Sequence, residues 1–128
     1  MTQGPKIKEF EDALQKYTGA KYCVALNSGT AALHAAYVAA GIGEGDEVLV
    51  PALTFTATGN AALYLGAKPI FVDVDPHTGN IDIKDVARKI TKRTKGIVAV
   101  DYAGRPADLA AVRTLARKHR LVFIEDAA

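Results

Sequence analysis

Cysteine is nearly absent: Cys23 is the only one in 128 residues. That excludes an internal disulfide and a cysteine-rich metal centre. Cys23 falls in an apolar run, where a lone thiol is expected to be buried and inert. Long apolar stretches are absent too. None could span a bilayer, and no signal peptide opens the chain. The expectation is a soluble cytoplasmic protein without a membrane partner. Charge of one sign is also scarce, the net value being +2. Basic residues do gather between Lys84 and Lys95 and again between Arg113 and Arg120. Acidic and apolar residues interrupt both groups at helical spacing, so they read as solvated helix faces. No groove-reading motif accompanies them, and no nucleic-acid partner is expected. The chain has no low-complexity tract and no interdomain linker, so it is one domain or part of one.

What is present can form a core: 49% of residues are hydrophobic and 23% charged. Apolar spacing alternates between helical and extended periods. Pro5 suits a first helical turn, Ile7, Phe10 and Leu14 share a face, and Gly19 fits just beyond the helix. Tyr22–Leu26 reads as a strand. Asn27 or Ser28 can cap an alanine-rich helix that runs to Gly41. Further strands are expected at 47–50, 69–74, 96–100 and 121–125. Thr54, Asp82 and Asp108 are the expected caps of the intervening helices, and 75–80 is a turn by composition. Five strands alternating with helices imply βαβ crossovers and a mostly parallel sheet, a three-layer α/β/α sandwich. Several strands lack polar alternation, as expected of a sheet covered on both faces.

Ligands of open α/β sheets bind beyond the carboxyl ends of the strands. Ser28-Gly29-Thr30, Thr54-Phe55, Asp73-Val74-Asp75, Asp101-Tyr102 and Asp126 all fall at such ends. A helix opening on Ser28-Gly29-Thr30 offers free N–H groups and a positive dipole end to a phosphate, or Ser28 is an ordinary cap. Phe55 can stack on a flat heterocycle or pack into the core. Asp126, at a buried strand end, needs a partner. That partner can be a protonated ring nitrogen, a following helix or a metal. A ligand with a phosphate and a cationic ring nitrogen would suit Ser28–Thr30 and Asp126 together, and pyridoxal phosphate is such a ligand. His34 and His77 have no partner at metal-ligand spacing, and no metal site is expected. Gly41-Ile42-Gly43-Glu44-Gly45 follows a helix and has the wrong spacing for a dinucleotide fingerprint.

Four segments together closely resemble the DegT/DnrJ-type sugar aminotransferases, fold-type I pyridoxal phosphate enzymes. They are GPKIKEFEDALQKYTGAKYCVALNSGTAALHAA, GIGEGDEVLVPALTFTATGNAALYLGAKPIFVDVDP, ITKRTKGIVAVDYAGRPADL and LVFIEDAA. They cover almost the whole chain in the family's order. The resemblance implies that Gly29 and Thr30, beside Ser28, hold the cofactor phosphate. It implies that Phe55 stacks on the pyridine ring and that Asp126 pairs with its nitrogen. It implies a keto-sugar nucleotide as substrate, glutamate or glutamine as amino donor, and a homodimer. It also implies that residues 1–128 are the N-terminal part of the large domain, with the small C-terminal domain absent. The family's Schiff-base lysine lies past its EDAA segment. None of the ten lysines here occupies a matching position, so the chain alone is expected to be inactive. A pyridoxamine-dependent sugar dehydratase of the same family and a non-catalytic binding or regulatory fragment are the competing readings.

Overall fold

The computed structural model describes residues 4–128. The first helix, α1 (Pro5–Thr18), starts on Pro5 and ends at Gly19, whose φ of 73° supplies the left-handed cap. Then follow α2 (Gly29–Ala39), β1 (Glu47–Pro51), α3 (Thr56–Leu63), β2 (Lys68–Val72) and α4 (Ile83–Lys89). The chain closes with β3 (Thr94–Val100), a 3-10 turn (Tyr102–Gly104), α5 (Leu109–His119) and β4 (Val122–Asp126). The four strands form one sheet in the order β2-β1-β3-β4, and every pairing is parallel.

Side chains alternate across the central strands, and each face makes its own core. Val48, Val50 and Val98 pack with Leu33 and Tyr37 of α2 and Ala57, Ala61 and Ala62 of α3. Leu49, Ile97 and Ala99 point the other way, against Val86 of α4 and Val112 and Ala116 of α5. The small residues of α3 bring its backbone close to the sheet. This is the expected three-layer α/β architecture with a parallel sheet.

The sheet has four strands and not five. Tyr22–Leu26 forms no strand among the described residues, and Tyr22, Val24 and Leu26 are exposed. Its apolar, β-prone composition favours an extended backbone, but a strand also needs a neighbouring ladder, and none of the four strands pairs with it. One amide of this segment, Ala25 N–H, donates instead to Glu11 Oε1 of α1 at 2.8 Å. Cys23 is consequently half-buried outside the sheet, not enclosed in it. The apolar face of α1 is likewise open: the helix buries none of its residues. No helix among the described residues is long and apolar enough to cross a membrane.

Caps follow the sequence in most places. Ser28 Oγ accepts from Ala31 N–H, Asp82 from Lys84 N–H and Asp108 from Ala111 N–H. Thr54 does not cap α3. Phe55 occupies that position without a side-chain bond, and the Thr54 hydroxyl meets Thr58 Oγ1 at 2.8 Å. The turn after β2 is present, closed by a bridge between Val74 and Ile81.

Two buried carboxylates pin the layers. Glu47, at the start of β1, accepts from Thr91 Oγ1 at 2.5 Å and from Arg93 Nη2 at 2.7 Å. Asp85 of α4 pairs with Lys89 at 2.9 Å, accepts the Asp73 N–H beyond β2 at 2.7 Å, and pairs with Arg88 at 2.8 Å. The hydrogen bond from Thr91, then that from Arg93, hold the Glu47 carboxyl below its ordinary range. The Lys89 bond, then the Asp73 amide and Arg88, do the same for Asp85. Both groups bind protons less readily folded than unfolded. Their stabilisation is therefore complete above the unfolded carboxyl range near pH 4 and is lost as pH falls through the depressed folded values. We predict that the urea midpoint drops as pH is lowered below about 4, and that Glu47→Gln combined with Asp85→Asn makes this acid limb shallower. An unchanged limb in the double variant would assign the acid sensitivity to other groups.

Candidate functional site

Parallel strands deliver all their carboxyl ends to one edge of the sheet. Above that edge a cleft of about 440 Å³ opens between the start of α2, the β1–α3 connection, the turn after β3 and the end of β4. Gly29, Thr30, Phe55 and Asp126 all line it, so residues from three chain regions expected to act together do meet. Ser28 is at the same helix end, with its hydroxyl committed to capping. Asp73 and Asp75 do not line this cleft. Asp75 instead shapes the turn after β2, accepting from the His77 and Thr78 amides at 2.8 and 3.0 Å. His34 and His77 are exposed, and His34 meets Tyr64 edge-on at 5.6 Å. No group of His, Cys, Asp and Glu among the described residues could hold a metal ion.

The start of α2 has two backbone donors with no acceptor inside the helix. Ser28 satisfies two early amides: its hydroxyl takes the Ala31 N–H and its carbonyl takes the Ala32 N–H at 3.0 Å. The Gly29 and Thr30 amides precede any possible intrahelical acceptor and are left for solvent or a ligand. Gly29 also sits against the end of the β4 segment, where an added Cβ would meet Ala128 Cβ at 3.4 Å. Opposite, the Phe55 ring is 77% exposed. Phe55 thus does not pack into the core that these residues form, and its side chain stands at the lip of the cleft.

Asp126 is the buried charge of the site, with 9% of its surface exposed. Its Oδ2 accepts a hydrogen bond from Thr58 Oγ1 at 2.8 Å, and its Oδ1 accepts only a longer one from the Ala128 N–H at 3.3 Å among the described residues. Oδ1 thus keeps capacity for a strong donor. Beneath the pair, the Tyr37 hydroxyl donates to the Thr58 carbonyl at 2.7 Å. Burial, and secondarily the nearby Asp126 charge, push the Tyr37 phenol above its ordinary range, so it remains a neutral donor. Thr58 and Tyr37 were not among the residues expected at the site. The spacing of Thr54 and Thr58, one helical turn apart beside small apolar residues, was the available signal for the first. Tyr37 gave none, since an aromatic on an apolar helix face reads as core.

The far wall comes from the turn after β3. Asp101 N–H donates to the Asp126 carbonyl at 3.0 Å, tying the two strand ends together. Ala103 sits at φ 53°, a left-handed conformation that costs a non-glycine residue energy and persists because its neighbours fix it. Asn80 supplies much of that fixing. Its amide donates to the Arg105 and Pro106 carbonyls at 3.1 and 3.0 Å, and its oxygen accepts the Tyr102 N–H at 3.2 Å. Tyr102 in turn lies over Gly79, where an added Cβ would come within 2.5 Å of the ring. Among the described residues no lysine lines the cleft.

Known proteins share this sequence pattern and fold. The profile of the DegT/DnrJ/EryC1/StrS aminotransferase family matches residues 1–128. GDP-perosamine synthase of Caulobacter vibrioides is 49% identical over 98% of this chain and 34% of its own length. UDP-2-acetamido-2-deoxy-3-oxo-D-glucuronate aminotransferase of Pseudomonas aeruginosa is 45% identical over 98% of this chain and 35% of its own length. The crystal structure of NtdA from Bacillus subtilis with bound cofactor PMP superimposes with a TM-score of 0.95 at 40% identity, over 98% of this chain and 29% of that one. The chain spans about a third of the length of the curated relatives it matches.

The Asn80 clasp generates a direct test of how the wall is held. Asn80→Ala strands one amide and two carbonyls in a part-buried place, and should cost about 2–3 kcal/mol. Urea denaturation measures the cost, and faster hydrogen exchange at the Tyr102 N–H reports the loosened wall. A loss below about 0.5 kcal/mol, within the range of an ordinary surface change, would mean that the turn is held by other contacts.

Proposed function

The chain belongs to the DegT/DnrJ/EryC1/StrS aminotransferase family, and on that premise we propose that it is the N-terminal part of the large domain of a pyridoxal phosphate-dependent sugar aminotransferase. The substrate we propose is a keto-sugar carried on a nucleoside diphosphate, with glutamate or glutamine giving the amino group. The names of the relatives support that class, since one carries GDP and the other UDP with a 3-oxo sugar. On this reading the Schiff-base lysine, the small domain and a homodimeric partner lie outside these residues.

The observation that carries the reading is the convergence on one cleft of unpaired helix-end amides, an exposed aromatic ring and a buried carboxylate with one oxygen available. These three features fit the three chemical parts of pyridoxal phosphate: phosphate, flat ring and ring nitrogen. The Gly29 and Thr30 amides, at the positive end of the α2 dipole, would take the phosphate. The Thr30 hydroxyl can add a donor. Phe55 would lie on the face of the ring and orient it. Asp126 would hold a proton on the ring nitrogen. When bound, pyridoxal phosphate supplies an electron sink for the bond broken at the amino carbon. The part played by this chain is electrostatic and geometric. A carboxylate fixed before the reaction costs no reorganisation when charge develops, and Asp126 itself is buried.

Asp126→Asn in the full-length protein tests this. Asparagine keeps the shape of the side chain and removes its charge, so the ring nitrogen is no longer held protonated. Single-turnover amino transfer at full cofactor occupancy should slow by about a hundredfold, corresponding to roughly 3 kcal/mol at the transition state. A near-normal rate would show that Asp126 is a structural residue.

A further inference from the structure

The Asp126 carboxylate does not choose its own orientation. Rotation about the last bond of an aspartate is soft, with broad minima, so a lone carboxylate at a strand end would sample a range of settings. Here Thr58 fixes it. Thr58 is fully buried on α3, and its hydroxyl reaches across 68 residues of sequence to Asp126 Oδ2 at 2.8 Å. Proton counting sets the direction of the bonds. An ionised carboxylate has no proton to give, so the single Thr58 proton goes to Asp126. The 2.8 Å contact between Thr54 and Thr58 must then be a donation from Thr54. The result is a chain running Thr54 to Thr58 to Asp126, in which each bond polarises the next.

Thr58 is itself held at two places. Its branched side chain has few rotamers in a helix. Its carbonyl accepts the buried Tyr37 hydroxyl at 2.7 Å. With Oδ2 held by the short bond from Thr58, Oδ1, which accepts only the 3.3 Å contact from Ala128 N–H among the described residues, is the less committed oxygen of a side chain that lines the cleft. We propose that Thr58 is a positioning residue, which presents Asp126 Oδ1 to the cofactor ring nitrogen, with Thr54 as the outer member of the same chain. The proposal rests on the reading of Asp126 as the partner of that nitrogen.

The test uses the full-length protein loaded with pyridoxal phosphate carrying ¹⁵N in its ring. Thr58→Val keeps the branched shape and removes the hydroxyl. The ring ¹⁵N signal, which distinguishes protonated from unprotonated nitrogen, should move toward the unprotonated position. Single-turnover amino transfer should fall on the order of tenfold to a hundredfold, as misplacement of a reacting group does, while KM for the sugar substrate stays unchanged. Thr58→Ser returns the hydroxyl and should restore most of both signals, although it removes a methyl group from the core. Thr54→Val, at a less buried position, should shift the ¹⁵N signal in the same direction by less, and it gives a reading even if Thr58→Val folds poorly. Asp126→Asn separates the two claims. If Asp126→Asn leaves the ring signal unmoved, the assignment of Asp126 fails and this proposal fails with it. If Asp126→Asn moves the signal while Thr58→Val and Thr54→Val do not, Asp126 stands and the positioning role is overturned. A Thr58→Ser protein as impaired as Thr58→Val also overturns it, because side-chain volume and not the hydroxyl would then be what matters.

Discussion

No side of β1 faces solvent. All five of its residues are buried, with Val48 and Val50 against α2 and α3 and Leu49 against α4 and α5. Such a strand must be covered on both faces; here helices cover it, and the crossovers that carry them let the neighbouring strands run parallel to it. The cleft is a consequence of that constraint. Once β1, β3 and β4 run the same way, their carboxyl ends share one edge. Phe55, Asp101 and Asp126 then arrive there from distant parts of the sequence. Glu47 occupies the other edge and closes it with Thr91 and Arg93, so a paired carboxylate fills the end that carries no cleft.

Much of this was legible from residue order. Val48-Leu49-Val50 is an uninterrupted apolar run of the kind a doubly covered strand requires, and Ser28, Asp82 and Asp108 announce their helices because short oxygen-bearing side chains reach the free amides. Tyr22–Leu26 misled, because its composition states a preference for an extended chain and says nothing of a partner. Pairing is a non-local property, and the segment has no ladder among the described residues. Thr54 misled for a related reason. A threonine ahead of a helix can reach back to the backbone or forward to another side chain, and the buried Thr58 hydroxyl won.

The site was legible in part. Asp126 stood out because a carboxylate at the end of an apolar run demands a partner, and the helix opening at Gly29 stood out because glycine and a hydroxyl residue there invite an anion. The exposure of Phe55 was not legible, since the same residue in the same local sequence can point inward. The link from Thr58 to Asp126 spans 68 residues and depends on where α3, packed over β1 and β2, sets Thr58 relative to the end of β4, which sequence spacing cannot convey. Tyr37 belongs to the same category: its ring is core and only its hydroxyl serves the site.

The central claim is that one cleft receives a phosphate at the start of α2 and a ring nitrogen at Asp126. A crystal structure of the full-length protein with pyridoxamine 5′-phosphate bound tests it most directly. The account predicts the phosphate at the Gly29 and Thr30 amides, the ring against Phe55, and the ring nitrogen within hydrogen-bond distance of Asp126 Oδ1. A ligand bound elsewhere, or bound in this cleft with its nitrogen turned away from Asp126, would contradict it.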